Sequence, residues 1–99
     1  MLHIVNKSPT ERNAFDSCLA TAQPGGAILL IEDGVYAATR GGPAESRLRT
    51  AMTKLEIYAL APDLEARGMA SAVTEGVKLV DYGGFVDLVT KHDTCQSWL

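Results

Sequence analysis

Positive charge, cysteine and long apolar runs are all scarce in this chain of 99 residues, and each scarcity excludes a class of function. Nine Lys and Arg stand against twelve Asp and Glu, for a formal net charge of -3. No basic run is present to neutralise a track of phosphates, so direct nucleic-acid binding is not expected. The longest apolar run, Ala27 to Ile31, is far below the roughly 20 residues of a membrane-spanning helix. The N-terminus lacks the basic and apolar regions of a secretory signal, and a cytoplasmic location is the expectation. With only Cys18 and Cys95 available, a disulfide framework is excluded and a reducing compartment fits. His3 and His92 are far apart, with no zinc-type spacing. Glycine pairs occur at Gly25-Gly26 and Gly41-Gly42, yet neither matches a dinucleotide fingerprint or a phosphate loop. No metal and no cofactor is expected.

What remains is an ordinary globular composition, 46% hydrophobic and 21% charged, enough for one domain over residues 1–99 and too short for two. Leu2-His3-Ile4-Val5 reads as a first strand. Ser8-Pro9-Thr10-Glu11 has the form of a capping box with proline at the first helical position, and it predicts a helix whose inner stripe is Phe15, Cys18, Leu19 and Ala22. Ala27-Ile28-Leu29-Leu30-Ile31 is apolar without alternation, as a strand covered on both faces requires, and is expected at the centre of a parallel sheet. Glu32-Asp33-Gly34 reads as a turn, and periodicity leaves Val35 to Thr39 open between helical and extended forms.

Further along, a helix is expected from Ala44 to about Thr53, a strand from Leu55 to Leu60, and a short helix opened by Ala61-Pro62-Asp63 and closed by Gly68. Val77 to Val80 predicts a fourth strand. Asp81 then caps a helix with Tyr82, Phe85, Val86 and Val89 inward, and Thr94 to Leu99 forms a fifth strand. The alternation gives an α/β fold: a single three-layer domain, with a mostly parallel sheet of about five strands and helices on both faces. Ligands of such sheets bind beyond the carboxyl ends of the strands. Asn6, Glu32, Asp33, Gly34, Asp63, Asp81 and Tyr82 would lie there, with capping and turn formation explaining most of them.

Cys18 is the candidate reactive residue, because a lone thiol can carry or attack a persulfide without a cofactor. Its neighbours one turn away are Ala14, Phe15, Thr21 and Ala22, and none lowers a thiol pKa, so core packing competes with sulfur handling. Cys95 is expected to pack. The adjoining Trp98-Leu99 is expected to dock, with a partner subunit as one candidate.

The opening Met1-Leu2-His3 with Val5-Asn6-Lys7-Ser8-Pro9, together with Leu29-Leu30-Ile31-Glu32-Asp33-Gly34-Val35, resembles the DsrH/TusB family of sulfur-relay proteins. The resemblance continues through Tyr58-Ala59-Leu60, Asp63-Leu64, Ala66-Arg67-Gly68, Val80-Asp81-Tyr82, Phe85-Val86 and Trp98, and so covers essentially the whole chain. It implies a DsrEFH-like fold and a subunit of a cytoplasmic heterohexamer with DsrE/TusD-like and DsrF/TusC-like chains. Such a complex relays persulfide sulfur to a DsrC/TusE-like carrier, and its principal sulfur-carrying cysteine lies on the DsrE/TusD-like subunit. Glu11-Arg12-Asn13, Ser17-Cys18-Leu19 and the ending Ser97-Trp98-Leu99 resemble the DsrH branch, which serves sulfur oxidation. Lys91-His92 looks more like the TusB branch, which serves 2-thiouridine synthesis at the tRNA wobble position. The cysteine in register favours DsrH. A stand-alone small-molecule-binding α/β domain is the competing class, against which the missing phosphate loop counts.

Overall fold

Parallel pairing throughout gives one five-stranded sheet in the order β4-β3-β2-β1-β5, with β1 Leu2–Val5, β2 Ala27–Leu30, β3 Glu56–Leu60, β4 Lys78–Val80 and β5 Cys95–Trp98. This computed structural model describes residues 1–98, so the expectation for Leu99 lies outside the described residues. β2 sits at the centre and all four of its residues are buried. Its side chains alternate between two cores: Ile28 and Leu30 enter one, Ala27 and Leu29 the other. An apolar run without alternation is therefore the sequence signature of a strand packed on both sides.

The larger core joins β1, β2 and β3 to helices α1 (Ala14–Thr21), α2 (Glu45–Ala51) and α3 (Ala61–Ala66), and to a 3-10 segment, Glu32–Ala38. Phe15, Cys18, Leu48 and Leu64 fill it. The opposite face carries one helix, α4 (Tyr82–Lys91), whose Leu88 packs on Leu2, Ala27 and Leu29. A helix is about 10 Å wide and strands are spaced about 4.8 Å apart, so one helix covers two or three strands of five. The edges of that face stay open.

Three expectations are corrected. α1 starts at Ala14 with Asn13 as its N-cap residue, because the Ser8-Pro9 turn closes only one turn on the Ser8 carbonyl. The Ser8 hydroxyl pairs with Thr10, leaving Glu11 outside any capping box. On α4, Tyr82, Val86 and Val89 face solvent, and the sheet is met by Phe85 and Leu88. Cys95 is exposed because it lies on the edge strand, on the face that α4 leaves uncovered. Other expectations hold in detail. The Asp81 carboxylate accepts from Gly84 N at 2.8 Å and caps α4, and Gly68, with φ +65°, ends the α3 turn where the Met69 N–H returns to the Leu64 carbonyl.

Candidate functional site

Beyond the carboxyl end of β2 the backbone makes a tight turn into the 3-10 segment. Glu32 adopts a φ of 49°, the sole non-glycine in the left-handed region among the described residues, a conformation that needs support from its surroundings. Its N–H donates to Asp63 Oδ2 at 2.6 Å. Arg67, one helical turn after Asp63, donates from Nε and Nη2 to Asp33 Oδ1, both at 3.0 Å, and from Nη1 to the Asp63 carbonyl at 3.1 Å. Gly34 completes the turn: a Cβ there would sit 2.1 Å from the Val5 carbonyl oxygen, so β1 and the 3-10 segment touch backbone to backbone.

The fold thus brings Glu32, Asp33, Gly34 and Asp63 to one rim, as the α/β pattern implied. It commits Asp33 and Asp63 to Arg67 and to the turn, and Asp81 to the α4 cap. Asn6 Oδ1 is buried there without a hydrogen-bond partner. No group of three or more His, Cys, Asp and Glu suited to a metal ion occurs among the described residues. Arg67 was not among the rim candidates drawn from the sequence. No local spacing marks it, because its guanidinium meets the Asp63 main-chain carbonyl and the Asp33 carboxylate, 34 positions away in sequence.

Cys18 lies on the inner face of α1 with no exposed surface, packed in the cluster that holds Phe15, Leu48, Ala51 and Leu55. Burial pushes its thiol up to about 12, so at neutral pH the sulfur is a thiol. A thiol is a poor nucleophile, and in this closed arrangement Cys18 behaves as a small apolar group. Cys95 is free and exposed on β5.

The other end of the candidate list converges unexpectedly. Trp98 turns back onto the sheet, where its Nε1–H donates to His3 Nδ1 at 3.1 Å, and it packs against the larger core. His3 is 98% buried, and burial, followed by the nearby N-terminal amine, lowers its pKa below the usual histidine value. The acceptor role of Nδ1 requires the neutral ring. Trp98 therefore docks on its own chain, through the histidine at the far end of the sequence.

A family profile described as "DsrH like protein" matches residues 7–95. Protein TusB of Pectobacterium parmentieri is 39% identical over 98 residues, covering 99% of this chain and 100% of that protein. Protein TusB of Escherichia coli K12 is 38% identical with the same coverage. Among solved structures, the ychN protein of Escherichia coli superposes with a TM-score of 0.77 at 15% identity, covering 97% of each chain. A protein of unknown function from Methanobacterium thermoautotrophicum, MTH1491, gives 0.71 at 17% identity, covering 97% of this chain and 95% of that one. These structural likenesses concern the fold alone.

Proposed function

The chain belongs to the DsrH/TusB family of sulfur-relay proteins, and from that premise we propose that it is a small subunit of a cytoplasmic TusBCD/DsrEFH-like sulfurtransferase complex. In this reading it assembles with TusD/DsrE-like and TusC/DsrF-like chains, and the complex passes persulfide sulfur to a TusE/DsrC-like carrier. The observation that carries the reading is identity of 38–39% to TusB proteins along 99% of the chain. That same identity favours the TusB branch, and with it tRNA wobble 2-thiouridine synthesis. The DsrH preference drawn from Cys18 yields to it.

The geometry supports a subunit more than a self-sufficient enzyme. The Asp33 and Asp63 carboxylates are engaged in holding the turn, and the thiol on α1 is sealed. The stripe Tyr82, Val86 and Val89, exposed by 61%, 62% and 39%, is the kind of apolar surface that subunits cover in assembly. Cys18 is a conditional sulfur site in this reading. Exchange requires a thiolate that attacks the outer sulfur of a donor persulfide, takes that sulfur as its own persulfide and releases the donor thiolate. A partner would have to open the layer over α1 before Cys18 could do so.

Co-expression with the two related chains tests the assembly, and the expected result is a stable complex containing all three. A monodisperse monomer that ignores both chains refutes it. Loading the complex with a persulfidated donor and mapping added sulfur by mass spectrometry tests the thiol. Labelling of Cys18 above Cys95 supports the conditional site, whereas an unlabelled Cys18 with full transfer by a Cys18→Ser complex returns the residue to packing.

A further inference from the structure

A groove runs between α1 and α2, and none of the rim residues lines it. Leu19 and Ala22 form one wall, Ala51 and Leu55 the other, and the space between them is about 480 Å³. That lies within the size range of sites that hold ligands of defined shape. Its mouth is polar. Arg47 Nε meets Asp16 Oδ1 at 2.8 Å across the gap between the two helices, with both side chains 46% exposed. Lys54, at the same mouth, has no ion-pair partner among the described residues. The lining therefore holds one carboxylate against two cations, a positive excess in a chain whose net charge is -3.

We propose that this groove docks a transient protein partner, which inserts a large apolar side chain between α1 and α2 and sets an adjacent carboxylate against Lys54 and Arg47. The assignment rests on the sulfur-relay reading, within which the transient partner is the carrier that visits the complex. Interfaces between permanent subunits are broad and apolar, as the outward stripe of α4 is. An apolar slot with a charged rim suits a partner that binds and leaves, since rim charges govern approach and orientation while a single anchor supplies contact. The solvent-exposed Arg47–Asp16 pair is weakly held, and Arg47 is free to turn to an incoming carboxylate. Ala51 and Leu55 belong both to the groove wall and to the cluster that encloses Cys18, so an occupant bears directly on the layer that seals the thiol.

The test uses the assembled complex and a fluorescently labelled carrier, titrated by anisotropy at low and high salt. Thr50→Trp fills the groove and Lys54→Glu reverses the rim charge, and both positions are exposed, so the fold should tolerate them. Each is expected to weaken carrier binding about tenfold with subunit composition unchanged. The Lys54→Glu loss should shrink in high salt while the Thr50→Trp loss persists. Carrier affinity within about twofold of the wild type in both variants overturns the groove assignment. Loss of a related subunit from either variant complex also overturns it, because the groove would then be a permanent interface. A wild-type complex that does not bind the carrier at all overturns the sulfur-relay reading, and the groove assignment with it.

Discussion

Replacing Gly34 by alanine should be among the most damaging single-methyl additions to this protein. The added Cβ would lie 2.1 Å from the Val5 carbonyl oxygen and 2.8 Å from its carbon, about 1.3 Å short of ordinary contact for the first of these. Both atoms are backbone in β1, and the Val5 oxygen also accepts the Ile31 N–H at 3.0 Å, so rotating a side chain cannot relieve the clash. The 3-10 segment would have to lift away, carrying buried Val35, Ala37 and Ala38 with it. Overpacking of a rigid core costs about 1–3 kcal/mol, and the immobility of the neighbours places Gly34→Ala at about 3 kcal/mol. For a domain of this size, that lowers Tm by roughly 12–24 °C. Gly41→Ala is the control: φ is +76° there with no atom within 4 Å, so left-handed strain alone should cost about 1 kcal/mol. Gly34 has no positive φ, and the comparison separates steric from conformational cost. Urea and thermal unfolding of the three proteins decide the matter. A Gly34→Ala protein no less stable than Gly41→Ala would refute the close approach.

Because burial holds the folded His3 pKa below its unfolded value, the stability this contributes is fully present above the unfolded pKa of about 6.5 and is lost as pH falls through the folded value. Tm should fall on acidification below that point, with a change in Trp98 fluorescence, and His3→Gln should flatten that part of the profile; an unchanged slope sinks the link. Native-state thiol labelling should modify Cys95 at once and Cys18 only after unfolding, and comparable rates at both would contradict the sealed core. Asp63→Ala removes the acceptor that supports Glu32 in its left-handed conformation, so it should destabilise by about 1 kcal/mol, as read by denaturant titration. A protein as stable as wild type would mean that the turn holds itself.

The sequence made the sheet readable where one residue's surroundings decide its character. Ala27 to Leu30 could be placed at the centre because polar residues are missing from both faces, and Asp81 could be placed as a cap because capping is local chemistry. Orientation was less legible where apolar residues outnumber the positions a sheet can cover. α4 offers Tyr82, Phe85, Val86, Leu88 and Val89, and helical periodicity alone cannot say which two or three the narrow contact takes. The exposure of Cys95 depends on how far one helix reaches across five strands, which is a property of the assembled layers. The candidate rim was found as a location, but the role of Arg67 depends on a contact with Asp33, 34 positions away in sequence.

The pairing of β1 with β5, fastened by Trp98 on His3, joins the beginning of the chain to its far end, 95 positions later. During synthesis β1 can acquire β2 early, but its second neighbour is made last. Until then one side of β1 offers open backbone donors and acceptors to any other extended chain nearby. Vectorial synthesis therefore leaves this side of the sheet open until β5, the last of the five strands in chain order, has been made. The nascent protein passes through a period in which a correct partner strand is still absent and an incorrect one is available. Shortening that period, by chaperone shielding or by early capture on another subunit, would raise yield without altering a single contact of the finished fold.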